Sequence, residues 1–135
     1  MLEKYFKNAS EKFAMPFVLV LAKFQIKPNT VSILGLIIVL LGSYFFYVDN
    51  KFLGIILIFL GSAVDGLDGP YARYQNLVSE RGAVLDSFID RLGELFIWSV
   101  VAIGFTSNDI ELFIVLSILV ASNLIPYIRA KSESY

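Results

Sequence analysis

The sequence predicts an all-α fold, a polytopic membrane helix bundle with an amphipathic helix at its N-terminus, and three observations carry that reading. Of 135 residues, 57% are hydrophobic and 17% charged, whereas soluble domains average about 25% charged. Four long apolar segments alternate with short polar connections. The acidic residues are not scattered: the stretch "VDGLDGPYARYQNLVSERGAVLDSFIDR", Val64 to Arg91, holds four aspartates between the two most apolar parts of the chain.

In order along the chain, residues 1–27 read as an interfacial segment. Phe6, Phe13, Phe17, Leu19 and Leu21 alternate with Lys4, Lys7, Lys12 and Lys23, a pattern that suits a helix lying on a membrane surface. No short apolar core followed by a small-residue cleavage site is present. Val31 to Val48 is uncharged and near bilayer-spanning length, with Pro28 and Asn29 as its start signal. Asp49 to Lys51 is a turn. The second span runs from Phe52 into the aspartates and on to about Tyr74 as one helix. Leu77 to Arg81 is a polar connection. The third span covers Gly82 to Phe105, and the fourth Ile110 to Tyr127, with Pro126 ending or kinking it. The length fits a single domain over 1–135.

Composition also excludes chemistry. There is no Cys and no His, so disulfides, thiolate or imidazole metal sites and histidine catalysis are out. The basic residues form no dense patch, which argues against a nucleic-acid partner. Lysine and arginine gather on the N-terminal segment, on the connection bearing Arg73 and Arg81, and on the tail with Arg129 and Lys131. By the positive-inside rule, the N-terminus and the aspartates face the cytoplasm in a multi-pass cell-membrane protein.

Asp65 and Asp68 stand at i, i+3 on the second span; Asp86 and Asp90 stand at i, i+4 on the third, in a row with Glu94. Spans joined by a short loop are antiparallel neighbours, so the two pairs can face each other. Each acid costs about 2.5–3.5 kcal/mol at the bilayer centre, and four together need positive charge. Arg73 and Arg91 can supply some. An all-carboxylate ligand set favours hard cations such as Mg²⁺ or Mn²⁺, and two ions bridged by shared carboxylates suit a phosphate-bearing substrate. The same spacing also fits a structural salt-bridge cluster or an ion pathway in a transporter.

The stretch resembles the signature of the CDP-alcohol phosphatidyltransferase family, D-x-x-D-G-x-x-A-R, eight residues, then G-x-x-x-D-x-x-x-D. Here it reads Asp65, Asp68, Gly69, Ala72, Arg73, Gly82, Asp86 and Asp90, with every spacing kept. The resemblance implies an enzyme in which the hydroxyl of an alcohol attacks a CDP-linked lipid and CMP leaves. It implies divalent ions, Mg²⁺ or Mn²⁺, on Asp65, Asp68 and Asp86 with Asp90 alongside. Asp90 would be the general base, and Gly69, Ala72, Arg73 and Gly82 would line the CDP site. Asn29 and Ser32 are further candidates for the nucleotide, or serve only the helix start. "LDSFIDR" and "PYIRAKSES" look like the inositol-phosphate branch, with Arg129 and Lys131 placed to hold the acceptor phosphate; glycerol phosphate is the alternative acceptor, and membrane flanking the alternative role for the two cations. The family implies six membrane helices, where this sequence reads as four, and a homodimer.

Overall fold

The computed structural model describes the backbone of residues 2–133 and the side chains of residues 13–104, 106–128, 131 and 132. Six helices follow one another: α1 (Leu2–Lys23), α2 (Pro28–Tyr47), α3 (Lys51–Asp65), α4 (Asp68–Tyr74), α5 (Glu80–Phe105) and α6 (Asp109–Glu133). Among the described residues there is no strand. The expected side chains of Lys4, Phe6, Lys7 and Lys12 fall outside those described, as does that of Arg129.

α2 is the central post. Pro28 occupies its first turn, where the missing N–H goes unnoticed, so the helix begins at the start signal read at Pro28 and Asn29, three residues ahead of the apolar run that opens at Val31. α3 returns antiparallel against it after a turn in which Asp49 takes a left-handed backbone (φ 68°) and the Asn50 side chain accepts from the Leu53 N–H at 3.4 Å. The two helices meet along paired glycines. A Cβ on Gly35 would lie 2.8 Å from the backbone N of Asp65 and 2.9 Å from the Gly61 carbonyl oxygen, and one on Gly42 would lie 2.7 Å from the Ile58 N and 2.9 Å from the Gly54 carbonyl oxygen. Gly54 and Gly61 are closed in the same way by Phe46 and Val39. Small residues let membrane helices approach to backbone contact, and here they repeat every seven residues on both partners.

The second span is not one continuous helix. It breaks after Asp65: the Gly66 N–H still bonds to the Ser62 carbonyl at 3.1 Å, but the Leu67 N–H bonds to Val64, three residues back, at 3.1 Å. That tightened step ends α3 and re-aims the chain, so Asp65 is the last residue of one helix and Asp68 the first of the next.

α5 starts at Glu80 rather than Gly82 because the Ser79 hydroxyl caps it, accepting from the Gly82 N–H at 3.1 Å. Three helices rather than four are long and apolar enough to cross a membrane among the described residues: Pro28–Tyr47, the pair α3–α4 taken together (Lys51–Tyr74), and Asp109–Ile128. The protein is therefore a multi-pass membrane protein. α5 has the length, 26 residues or about 39 Å, but Asp86, Asp90, Arg91 and Glu94 interrupt its apolar run.

α6 continues through Pro126 to Glu133 instead of ending there. Proline has no N–H to return to the carbonyl four residues earlier, which is that of Ser122. That carbonyl accepts from Arg91 Nη1 of α5 at 3.0 Å, while the same nitrogen bonds to Glu94 Oε2 at 2.6 Å. The loss inside α6 is thus met from α5.

Candidate functional site

The break between α3 and α4 and the capped start of α5 bring the acids together. One carboxylate oxygen each from Asp65, Asp68 and Asp86 lies within 4.8 Å of the others. Asp90, one turn along α5 from Asp86, adjoins both Asp65 and Asp86. Gly35 decides where Asp65 sits, because only a residue without Cβ lets α2 come this close to the Asp65 backbone. Ser32 of α2 fixes Asp68: its buried hydroxyl donates to Asp68 Oδ2 and lies 3.4 Å from the Pro28 carbonyl. Ser32 therefore stands behind the carboxylate.

The donor set fits a divalent cation. Oxygens that share an ion at about 2.1–2.6 Å lie at most roughly 4–5 Å apart, as these do. Asp65 Oδ1 is buried and has no hydrogen-bond partner. A buried carboxylate oxygen without a donor is costly, and a cation placed among the three acids would satisfy it.

Two cavities flank the cluster. The first, about 300 Å³, is walled by Asn29, Gly69, Ala72, Arg73 and Gly82, together with Asp68 and Asp86 of the cluster. Gly82 permits close approach here: a Cβ would stand 3.1 Å from Ser79 Oγ and 3.6 Å from Asn29 Oδ1. Leu77 and Val78 add apolar surface to the same cavity; sequence reasoning passed them over as a polar connection, though two adjacent apolar residues in a short loop were the available signal. The second cavity, about 280 Å³, lies on the α2–α3–α5 side, and its polar wall is Ser62, Asp65, Asp90, Arg91 and Glu94. Glu94 and Arg91 pair at 2.6 Å with each side chain about one-third exposed. The acids thus separate two spaces, with Asp68 and Asp86 on one and Asp65 and Asp90 on the other. Lys131 is exposed near the end of α6 and lines neither cavity.

Comparison with known proteins agrees with this geometry. The profile described as CDP-alcohol phosphatidyltransferase matches residues 25–133. The chain is 37% identical over 113 residues to the archaetidylinositol phosphate synthase of Pyrococcus horikoshii, covering 84% of this chain and 58% of that one. It is similar to the crystal structure of Mycobacterium tuberculosis phosphatidylinositol phosphate synthase in complex with manganese and citrate, with a TM-score of 0.77 and 29% identity over 90% of this chain and 60% of that one. It is equally similar to the same enzyme with CDP-DAG bound, with a TM-score of 0.77 and 28% identity over 91% and 64% of the two chains. The chain therefore spans less than two-thirds of the length of these relatives. With the eight signature residues gathered around one acidic cluster and a profile match over most of its length, the chain belongs to the CDP-alcohol phosphatidyltransferase family.

Proposed function

We propose that this protein transfers a phosphatidyl-type group from a CDP-linked lipid to inositol phosphate, releasing CMP, in a membrane with its acidic site toward the cytoplasm. The observation that carries the reading is the division of space at the aspartates. The first cavity is lined by signature residues and suits the nucleotide: Gly69 and Gly82 leave room for it, and Arg73 is of the type that grips phosphate bidentately. The second cavity has Asp90 in its wall and suits the acceptor. Asp65, Asp68 and Asp86 hold Mg²⁺ or Mn²⁺, and two ions fit a site that also receives a pyrophosphate. A bound ion supplies charge neutralisation at the pyrophosphate and at the departing CMP.

The step follows from these placements. Asp90 accepts the proton of the acceptor hydroxyl. The freed oxygen attacks the phosphorus that carries the lipid, a new P–O bond forms, and the P–O bond to CMP breaks. Asp68, with Ser32 donating to it, keeps a fixed orientation through the reaction. The names of the relatives, an archaetidylinositol phosphate synthase and a phosphatidylinositol phosphate synthase, support the inositol-phosphate acceptor. The basic residues of the N-terminal segment, Arg73 and Arg81 in the helix ends on either side of the α4–α5 connection, and those of the C-terminal tail support the orientation. The outward face of α1, with Phe13, Phe17 and Val20 exposed and Phe24 exposed just after it, supports an interfacial helix; the homodimer rests on the family resemblance and is tested by cross-linking in native membranes.

Release of radiolabelled CMP from CDP-linked lipid, with Mn²⁺ and each acceptor in turn, tests the proposal. Release with inositol phosphate and not with glycerol phosphate is the expected outcome; no release with any acceptor removes the enzymatic reading. Lys131 lines neither cavity, so replacing Arg129 or Lys131 tests whether the acceptor phosphate reaches past the second cavity to them: a hold there raises the acceptor KM roughly tenfold or more, since a charge-assisted hydrogen bond contributes about 1.5–3 kcal/mol, and leaves the donor KM unchanged.

A further inference from the structure

α4 is a seven-residue helix, too short to hold its own direction, and the break at Gly66 and Leu67 detaches it from α3. Yet it carries Asp68, Gly69, Ala72 and Arg73, half of the signature. Something outside it must set its orientation. Its cavity-facing residues recur at i, i+1, i+4 and i+5; the adjoining face carries Tyr71 and Gln75, themselves at i, i+4. Tyr71 has no exposed surface and packs in a cluster with Ala14, Val18 and Val31. Its hydroxyl donates to the Ile26 carbonyl at 2.6 Å, with the Leu21 carbonyl 3.3 Å away, and accepts from Gln75 Nε2 at 2.6 Å. Leu21 lies in the last turn of α1, and Ile26 lies in the link to α2, just after Gln25 turns the chain with a left-handed backbone (φ 54°).

We infer that Tyr71 and Gln75 are positioning residues: through one phenol hydroxyl they fasten the nucleotide-binding segment α4 to the end of the N-terminal helix, so that the seat of α1 on the membrane surface sets the mouth of the first cavity. This rests on the first cavity taking the cytidine diphosphate group. α1 is held on one side by this latch and carries Phe13, Phe17 and Val20 on its exposed side. One helix therefore touches both the lipid and the signature segment. Neither residue touches the nucleotide; each acts by raising the fraction of molecules in which α4 is correctly aimed, and apparent affinity scales with that fraction.

The test is CDP binding by calorimetry to the protein in lipid nanodiscs with saturating Mn²⁺, alongside thermal unfolding. Tyr71→Phe keeps the ring in its cluster and removes only the hydroxyl, leaving the Ile26 carbonyl without its partner. The expected result is CDP binding weakened about tenfold, on the scale of one lost buried hydrogen bond. Gln75→Met keeps the volume, spares the bond to Ile26 and weakens CDP binding in the same direction by a smaller factor. It decides the matter if Tyr71→Phe does not fold. A packing role alone would lower the unfolding temperature and leave the CDP affinity of the folded protein unchanged, so wild-type CDP affinity in the folded variants overturns the inference while the proposed function stands. A wild-type protein that does not bind CDP overturns the proposed nucleotide site and this inference with it.

Discussion

Replacing Gly35 by alanine adds one carbon at the contact that positions Asp65. The new Cβ would stand 2.8 Å from both the Cβ and the backbone N of Asp65, about 0.6 Å inside ordinary contact, which begins at 3.4 Å. The obstructing atoms are mostly backbone and cannot rotate away, so α3 must shift at its C-terminal end. Overpacking of this kind costs about 1–3 kcal/mol. A displacement on the order of 1 Å in a reacting constellation costs on the order of a hundredfold in rate, so a shift of about 0.6 Å should lower turnover by roughly ten- to a hundredfold. Gly42→Ala is the control. Its Cβ meets Ile58 N at 2.7 Å on the same seam, but seven residues, or about 10 Å of helix, from Gly35. It should lose similar stability and keep most of its turnover. Thermal unfolding in nanodiscs gives the first quantity, CMP release the second, and a Mn²⁺ titration shows whether the ligands have moved. Equal turnover in the two variants at equal stability loss would refute the claim that Gly35 places the acid.

Asp86→Asn removes a charged ligand and should abolish both Mn²⁺ binding, followed by electron paramagnetic resonance, and CMP release. Asp90→Asn should lower turnover by at least about a hundredfold, the range of general-base catalysis, while CDP affinity stays within about twofold; a large loss of CDP affinity would move Asp90 to the donor side. Ser32→Ala removes the hydroxyl that orients Asp68 and should weaken Mn²⁺ binding roughly tenfold, from about 1.5 kcal/mol for a hydrogen bond to a charged group. Arg91→Met removes the donor of the Ser122 carbonyl and leaves Glu94 with only the Ser122 hydroxyl at 3.4 Å; because the Arg91–Glu94 pair is about one-third exposed, the loss should be about 1–2 kcal/mol in thermal unfolding.

The acids and their helices were legible in the sequence because the signature is local: its eight positions lie within 26 residues, and helical spacing alone puts them on facing sides of a hairpin. The start of α2 was legible from Pro28 for the same reason. What was not legible depends on residues far apart in the chain. Ser32 meets Asp68 across 36 positions, Tyr71 meets Ile26 across 45, and Arg91 meets Ser122 across 31; no periodicity within one segment announces such pairs. The break after Asp65 was missed because Gly66 and Leu67 carry no strong stop signal, and the change is a single tightened hydrogen bond. The glycine seam lay in view as Gly35 and Gly42 opposite Gly54 and Gly61, two equal spacings of seven. It reads as a packing surface only once the two helices are set side by side.

A membrane helix ordinarily offers its neighbours nothing but side chains, since its own amides saturate its carbonyls. At Ser122 this rule is suspended: Pro126 withholds the amide, and α5 reaches the main chain of α6 directly through Arg91. The carbonyl exists whatever side chain stands at 122, so this main-chain bond is distinct from the one the Ser122 hydroxyl makes to Glu94 Oε2 at 3.4 Å. What position 126 decides is whether Arg91 is that oxygen's main donor, because any other residue returns an amide that shares the same oxygen. The bond from α5 to the α6 main chain is thus set by a residue a full turn away from the atom that makes the contact.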